Sequence, residues 1–171
     1  MKYVVVDIEA DGPIPGKYSM LSLGAVMLDA TSLDTLGTLY TEFKPISDEY
    51  VPDALRVSGF TREQTLSFLP AKEGMQFFKE WLTEIANGDR AQMVADNAGF
   101  DWSFVNWYFH NFLGANPLGF SCLSLTSLYK GVKMDMRASF KHLRRTRHTH
   151  NALDDARGNA EALVTILKDF R

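Results

Sequence analysis

Two carboxylates, Asp7 and Glu9, stand two positions apart at the end of an apolar, β-branched run, Lys2–Ile8. In a strand that spacing turns both side chains to one face, with Cα atoms roughly 6–7 Å apart. The pair can therefore converge on one cation. Acids ending a hydrophobic strand are costly unless positive charge compensates; the plainer alternative is that the strand has ended and both are solvated. Asp101 follows a short apolar run, Ala91–Ala95, where a helix begins. There the helix dipole favours an acid for structural reasons alone. In His150-Asn151-Ala152-Leu153-Asp154-Asp155 a histidine precedes a helix start. Asn151 as N-cap places Asp154 and Asp155 in the first turn, so a loop histidine can lean over a site to which the helix presents Asp155.

These side chains need a scaffold, and the chain supplies candidate elements in order. Lys2–Ile8 reads as a buried strand, Met20–Leu28 as a second, and Leu36–Phe43, with Leu39, Thr41 and Phe43 alternating, as a third. Their connections are too short for crossover helices, so the three should pair antiparallel. Thr61-x-x-Gln64 reads as a capping box opening a short helix. Met75, Phe78, Leu82 and Ile85 are spaced as the apolar face of a helix over Ala71–Ile85. A short strand Ala91–Ala95 follows, then a helix from about Asp101 to Leu113, a strand Phe120–Leu123, helical segments Leu125–Gly131 and Ser139–Arg145, and a closing helix from about Leu153 to Lys168. The expectation is one α/β domain over residues 1–171 with a mixed sheet, an antiparallel three-stranded meander preceding the remaining strands.

Composition narrows the function classes. The 171 residues are 46% hydrophobic and 23% charged, ordinary for a globular protein with a full core. One cysteine, Cys122, excludes an internal disulfide, and no Cys/His spacing suggests structural zinc. A reducing, cytoplasmic setting fits best. No stretch approaches the roughly 18 apolar residues of a membrane span, so no membrane role is expected. The net charge of −3 argues against coating nucleic acid by charge alone. The basic residues are instead concentrated between Arg137 and His150, a run without an acid that holds Arg144, Arg145 and Arg147 and leads straight into His150. A solvated helix face is the bland account of that run.

Taken together the motifs resemble those of the DEDDh, or DnaQ-like, exonucleases. Asp7-Ile8-Glu9 matches the family's Asp-x-Glu, Asn97 to Asp101 its Asn-x-x-Phe-Asp, and His150 with Asp155 its His-x4-Asp. The resemblance spans residues 1 to about 168. The sister branch ending in Tyr-x3-Asp would need tyrosine where Asn151 stands. After Glu9 the family often carries Thr-x-Gly or Thr-Thr-Gly, whereas this chain has Ala10-Asp11-Gly12, which bears on substrate contact and leaves the four carboxylates intact.

The resemblance implies a ribonuclease H-like mixed sheet flanked by helices, and a 3′→5′ exonuclease that hydrolyses DNA or RNA from single-stranded 3′ ends to nucleoside 5′-monophosphates. It implies two Mg²⁺ or Mn²⁺ ions held by Asp7, Glu9, Asp101 and Asp155, with His150 as general base. Two such ions supply an activated water, charge neutralisation and support for the departing 3′ oxygen. Asp154 and Asp11 are left outside the metal site. Arg144, Arg145 and Arg147 become candidates for substrate phosphates, and Trp102 for stacking on a terminal base. A proofreading module with a polymerase partner, an inactive end-binding relative and a ribonuclease H-type endonuclease stay open as alternatives, as does a homodimer.

Overall fold

The computed structural model describes residues 1–169; the last two residues of the expected 1–171 domain lie outside them. Five strands form one sheet in the order β3-β2-β1-β4-β5. Strands β1 (Lys2–Ala10), β2 (Met20–Asp29) and β3 (Thr35–Glu42) make the antiparallel meander. Strands β4 (Ala91–Ala95) and β5 (Cys122–Ser124) add to the other side, each parallel to its neighbour. The helices are α1 (Pro52–Val57), α2 (Arg62–Thr65), α3 (Ala71–Ala86), α4 (Ala98–Leu113), α5 (Leu125–Lys133) and α6 (Ala152–Asp169). Among the described residues no helix is long and apolar enough to cross a membrane.

Strand alternation sorts the core into two layers. Val4, Val6 and Ile8 of β1 face α3 and α4, packing with Met75, Phe78, Phe104 and Tyr108. Val5 faces the other way, onto Ala156, Ala160 and Leu163 of α6. Asp7 and Glu9 continue the Val5 side, so the face that meets α6 turns from hydrocarbon to carboxylate within one strand.

The strand readings hold to within two residues at every end. The Thr61–Gln64 capping box forms with both of its reciprocal bonds. Helix α4 starts three residues before the expected point, at Ala98, which keeps Asp101 in its first turn. Helix α1 has no counterpart in the sequence reading. The helix expected over Ser139–Arg145 is corrected to a single 3-10 turn, Lys141–Leu143. Arg144 is already extended there, because the next amides are taken by Glu161 of α6: Arg145 and Thr146 N–H donate to its Oε2 at 2.7 and 2.8 Å.

Candidate active site

The site lies at the carboxyl end of β1, where that strand has an antiparallel neighbour on one side and a parallel one on the other. Open α/β sheets bind ligands in the crevice at such switch points. The parallel pairing of β1 with β4 runs from Lys2↔Ala91 to Val5↔Val94. Beyond it β1 outruns its neighbour, and the Ile8 N–H turns to a side chain instead: it donates to Asp101 Oδ1 at 3.2 Å. Helix α4 thereby delivers a buried carboxylate, 4% exposed, against the strand that carries Asp7 and Glu9.

Asp155 arrives from the opposite layer. Asn151 caps α6 through its Oδ1, accepting from Leu153 and Asp154 N–H at 3.1 and 3.2 Å. The helix start can press onto the sheet because β2 has a glycine there. Gly24 pairs across the ladder with Asp7, and a Cβ at Gly24 would stand 2.2 Å from the carbonyl carbon of Ala152. Asp155 is 1% exposed, and its carboxylate accepts Thr149 N–H on Oδ1 and His150 N–H on Oδ2, each at 3.1 Å. Asp154 turns elsewhere, toward Thr149 Oγ1 and Arg157.

Carboxylate oxygens of Asp7, Glu9 and Asp155 lie within 4.8 Å of one another. Crowding and burial act together on them. Burial, then Asp101, Asp155 and Glu9, hold the Asp7 carboxyl well above the usual carboxylate range, against the pull of Arg144. Burial, with Asp155 and Asp101, pushes Glu9 up to about 8. Asp101 is pushed up to about 7, chiefly by burial and further by Asp96, while the N–H groups around it oppose. Such a cluster of hard oxygen donors, each costly to ionise alone, fits divalent cations that favour oxygen.

His150 adopts a left-handed backbone, φ +59°, at the mouth, with its Nδ1 3.9 Å from Glu9 Oε1. A second histidine stands beside it. His148 Nδ1 is 2.9 Å from Asp155 Oδ2, and the two imidazole centroids are 4.3 Å apart. The His-x-His spacing, which sets two loop side chains on one side, was the available signal for His148.

The structure separates the residues considered for substrate contact. Arg144 turns inward, its side chain 6% exposed: Nη2 pairs with Asp96 Oδ2 at 3.1 Å and donates to Asn159 Oδ1 at 2.5 Å. Asn159 in turn donates to Asp7 Oδ1 at 3.4 Å. Arg144 is thus a buried brace behind Asp7. Asn159, one turn beyond Asp155 on α6, was legible as an i,i+4 partner and was not singled out. Arg145 and Arg147 are exposed. They line, with Lys141 and His148, a cleft of about 390 Å³. Trp102 is partly buried against the α3–α4 core, as is Phe100, whose ring lies 5.2 Å from that of Phe104. Asp11 is fully buried and pairs with Arg62 at 3.1 Å, fixing the loop after β1.

Comparison with known proteins agrees with this arrangement. The family model described as Exonuclease, RNase_T, matches residues 4–163. The 3′-5′ DNA exonuclease Cap18 of Escherichia coli is 39% identical over 178 aligned positions, covering 97% of this chain and 91% of that protein. Among solved structures, E. coli exonuclease I in its zinc-bound complex with single-stranded DNA superposes with a TM-score of 0.77 at 15% identity over 99% of this chain. This chain spans 41% of exonuclease I. Cell-death related nuclease 4 gives a TM-score of 0.81 at 12% identity, with 98% of this chain and 64% of that one covered. The nuclease domain of 3′hExo, a DEDDh family member bound to rAMP, gives 0.65 at 17% identity, over 98% and 92% of the two chains. At these identities the structures speak for the ribonuclease H-like fold alone. The family match and the relative's extent carry the assignment: this chain belongs to the RNase_T exonuclease family and is a 3′→5′ exonuclease, of a family dependent on divalent metal ions.

Proposed function

We propose that this chain trims single-stranded DNA from the 3′ end, releasing nucleoside 5′-monophosphates, with two Mg²⁺ or Mn²⁺ ions held by Asp7, Glu9, Asp101 and Asp155 and with His150 as general base. The observation that carries the reading is the convergence of Asp7, Glu9 and Asp155 oxygens within 4.8 Å, beside a buried Asp101 and under a loop histidine. The choice of DNA follows the activity in the name of the relative that is 39% identical.

Divalent ions in that cluster would neutralise the scissile phosphate, acidify the attacking water and support the departing 3′ oxygen. Around them the chain's own groups have separate tasks. The His150 imidazole accepts the proton of the attacking water and passes it to solvent, its position at the mouth giving it access to both. The water oxygen bonds to phosphorus as the bond to the 3′ oxygen breaks. A 3′-hydroxyl is left on the shortened strand and a 5′-phosphate on the released nucleotide. Asp155, fixed by two backbone N–H donors, holds its oxygens in place without side-chain reorganisation. Arg144, through Asn159, steadies Asp7. Arg145 and Arg147, exposed beside the mouth, take substrate phosphates as point contacts.

A gel time course with matched 5′-labelled single-stranded DNA and RNA in Mg²⁺ tests this, with Asp7→Ala and a closed circular strand as controls. The expected result is a ladder shrinking from the 3′ end, faster on DNA, absent in the variant and absent on the circle. Undiminished cleavage by Asp7→Ala would overturn the site, and cutting of the circle would make the enzyme an endonuclease.

A further inference from the structure

We propose that His148, His150 and Asp155 form a second metal site, selective for nitrogen-preferring divalent ions such as Zn²⁺ and Co²⁺, which competes with the carboxylate centre through the shared Asp155. One ligand atom from each of the three residues lies within 4.8 Å of those of the other two. His148 Nδ1 and Asp155 Oδ2, 2.9 Å apart in a direct contact, need to part by only about half an ångström to reach the roughly 3.3–3.5 Å between tetrahedral donors whose bonds to one ion are about 2.0–2.2 Å. The rings meet edge to face at 68°, and each histidine side chain is 46% exposed, so an ion can enter from solvent. The three ligands come from eight consecutive residues whose backbone is fixed. Thr149 and His150 N–H are bonded to Asp155, and Asn151 caps the helix that carries it.

The donor set differs in kind from the neighbouring one. Asp7, Glu9 and Asp155 offer oxygen only, which suits Mg²⁺. Two imidazoles and a carboxylate suit Zn²⁺, Co²⁺ or Ni²⁺, leaving an open position on a four-coordinate ion. An ion held there occupies Asp155 Oδ2 and the His150 ring together. The inhibitory half of the proposal rests on the roles given above to those two residues; the binding half does not.

The test is calorimetric titration of Zn²⁺ into the protein in saturating Mg²⁺, for the wild type and for His148→Gln, whose amide keeps a hydrogen bond to Asp155 but ligates metal poorly. The expected result is one Zn²⁺ per chain in the wild type and binding at least about tenfold weaker in the variant. In parallel, the Zn²⁺ concentration that halves Mg²⁺-supported cleavage, measured against each protein's own rate before Zn²⁺ addition, should rise by the same factor in the variant. Equal Zn²⁺ affinity in both proteins would overturn the site and seat the ion among the carboxylates. Weaker binding with undiminished inhibition would overturn the competition. If the wild type failed to cleave in Mg²⁺, the calorimetry would still decide the site, and the failure would count against the exonuclease reading instead.

Discussion

Asp7 is the residue on which burial and three neighbouring carboxylates act in the same direction. Its ionised form is therefore costly until a cation arrives, and this has a sign that can be measured. Glu9 and Asp101, at about 8 and about 7, also hold protons in the folded chain at pH values where the unfolded chain has released them. The stability these acids contribute to the metal-free protein is then fully present below the ordinary carboxylate range, and it is lost as pH rises through about 7 and about 8. Thermal melts in EDTA should show a falling Tm across that window, and Mg²⁺ should restore more at the alkaline end than at the acid end. Asp7→Asn should melt higher than the wild type without metal, with a shallower pH dependence, while losing hydrolysis. A variant no more stable than the wild type at alkaline pH would mean that the four acids do not repel one another as their geometry implies.

Among the elements, α6 does the most positioning, and Gly24 is what lets it approach. Gly24→Ala should destabilise the fold by on the order of 3 kcal/mol, since the new methyl meets backbone that cannot rotate away. It should also reduce kcat by moving Asp155 off the strand bearing Asp7. Denaturant melts and steady-state kinetics on the same sample check both; normal kinetics at reduced stability would separate helix packing from catalysis. This contact also marks the limit of what the sequence made legible. The strands, helices α3, α4 and α6 and the three acidic motifs could be read because each rests on local periodicity or short spacing, as in Asp7-x-Glu9 or the Asn151 cap. Gly24 and the reach of Arg144 to Asp96 and Asn159 join segments far apart, and no local pattern announces them; the spacings of His148 and Asn159 were local, but their contacts turn on how the loop and α6 are placed. The lost helix over Ser139–Arg145 has the same origin, because Glu161, on another element, captures the amides that a longer helix would have used.

At the scale of the whole molecule, an acidic protein of net charge −3 must accept an anionic polymer at a cluster of carboxylates. In the function proposed above, the exposed cations of the loop before His150 offset that repulsion. Arg147→Ala should raise KM several-fold at low salt with kcat retained, and should flatten the dependence of log KM on log salt by about 0.7, the contribution of one phosphate contact on a single strand. Unchanged salt dependence would remove Arg147 from the substrate path. That loop is held to α6 by main-chain amides and by Thr146 Oγ1, 3.0 Å from Glu161 Oε1, with the Arg145 charge also acting on Glu161; the side chain at 147 is not among these ties. On the proposed roles, chemistry and preference are separately heritable in this chain: drift or directed evolution can rewrite position 147 for another polymer without disturbing the loop's anchorage or the residues proposed to cleave it.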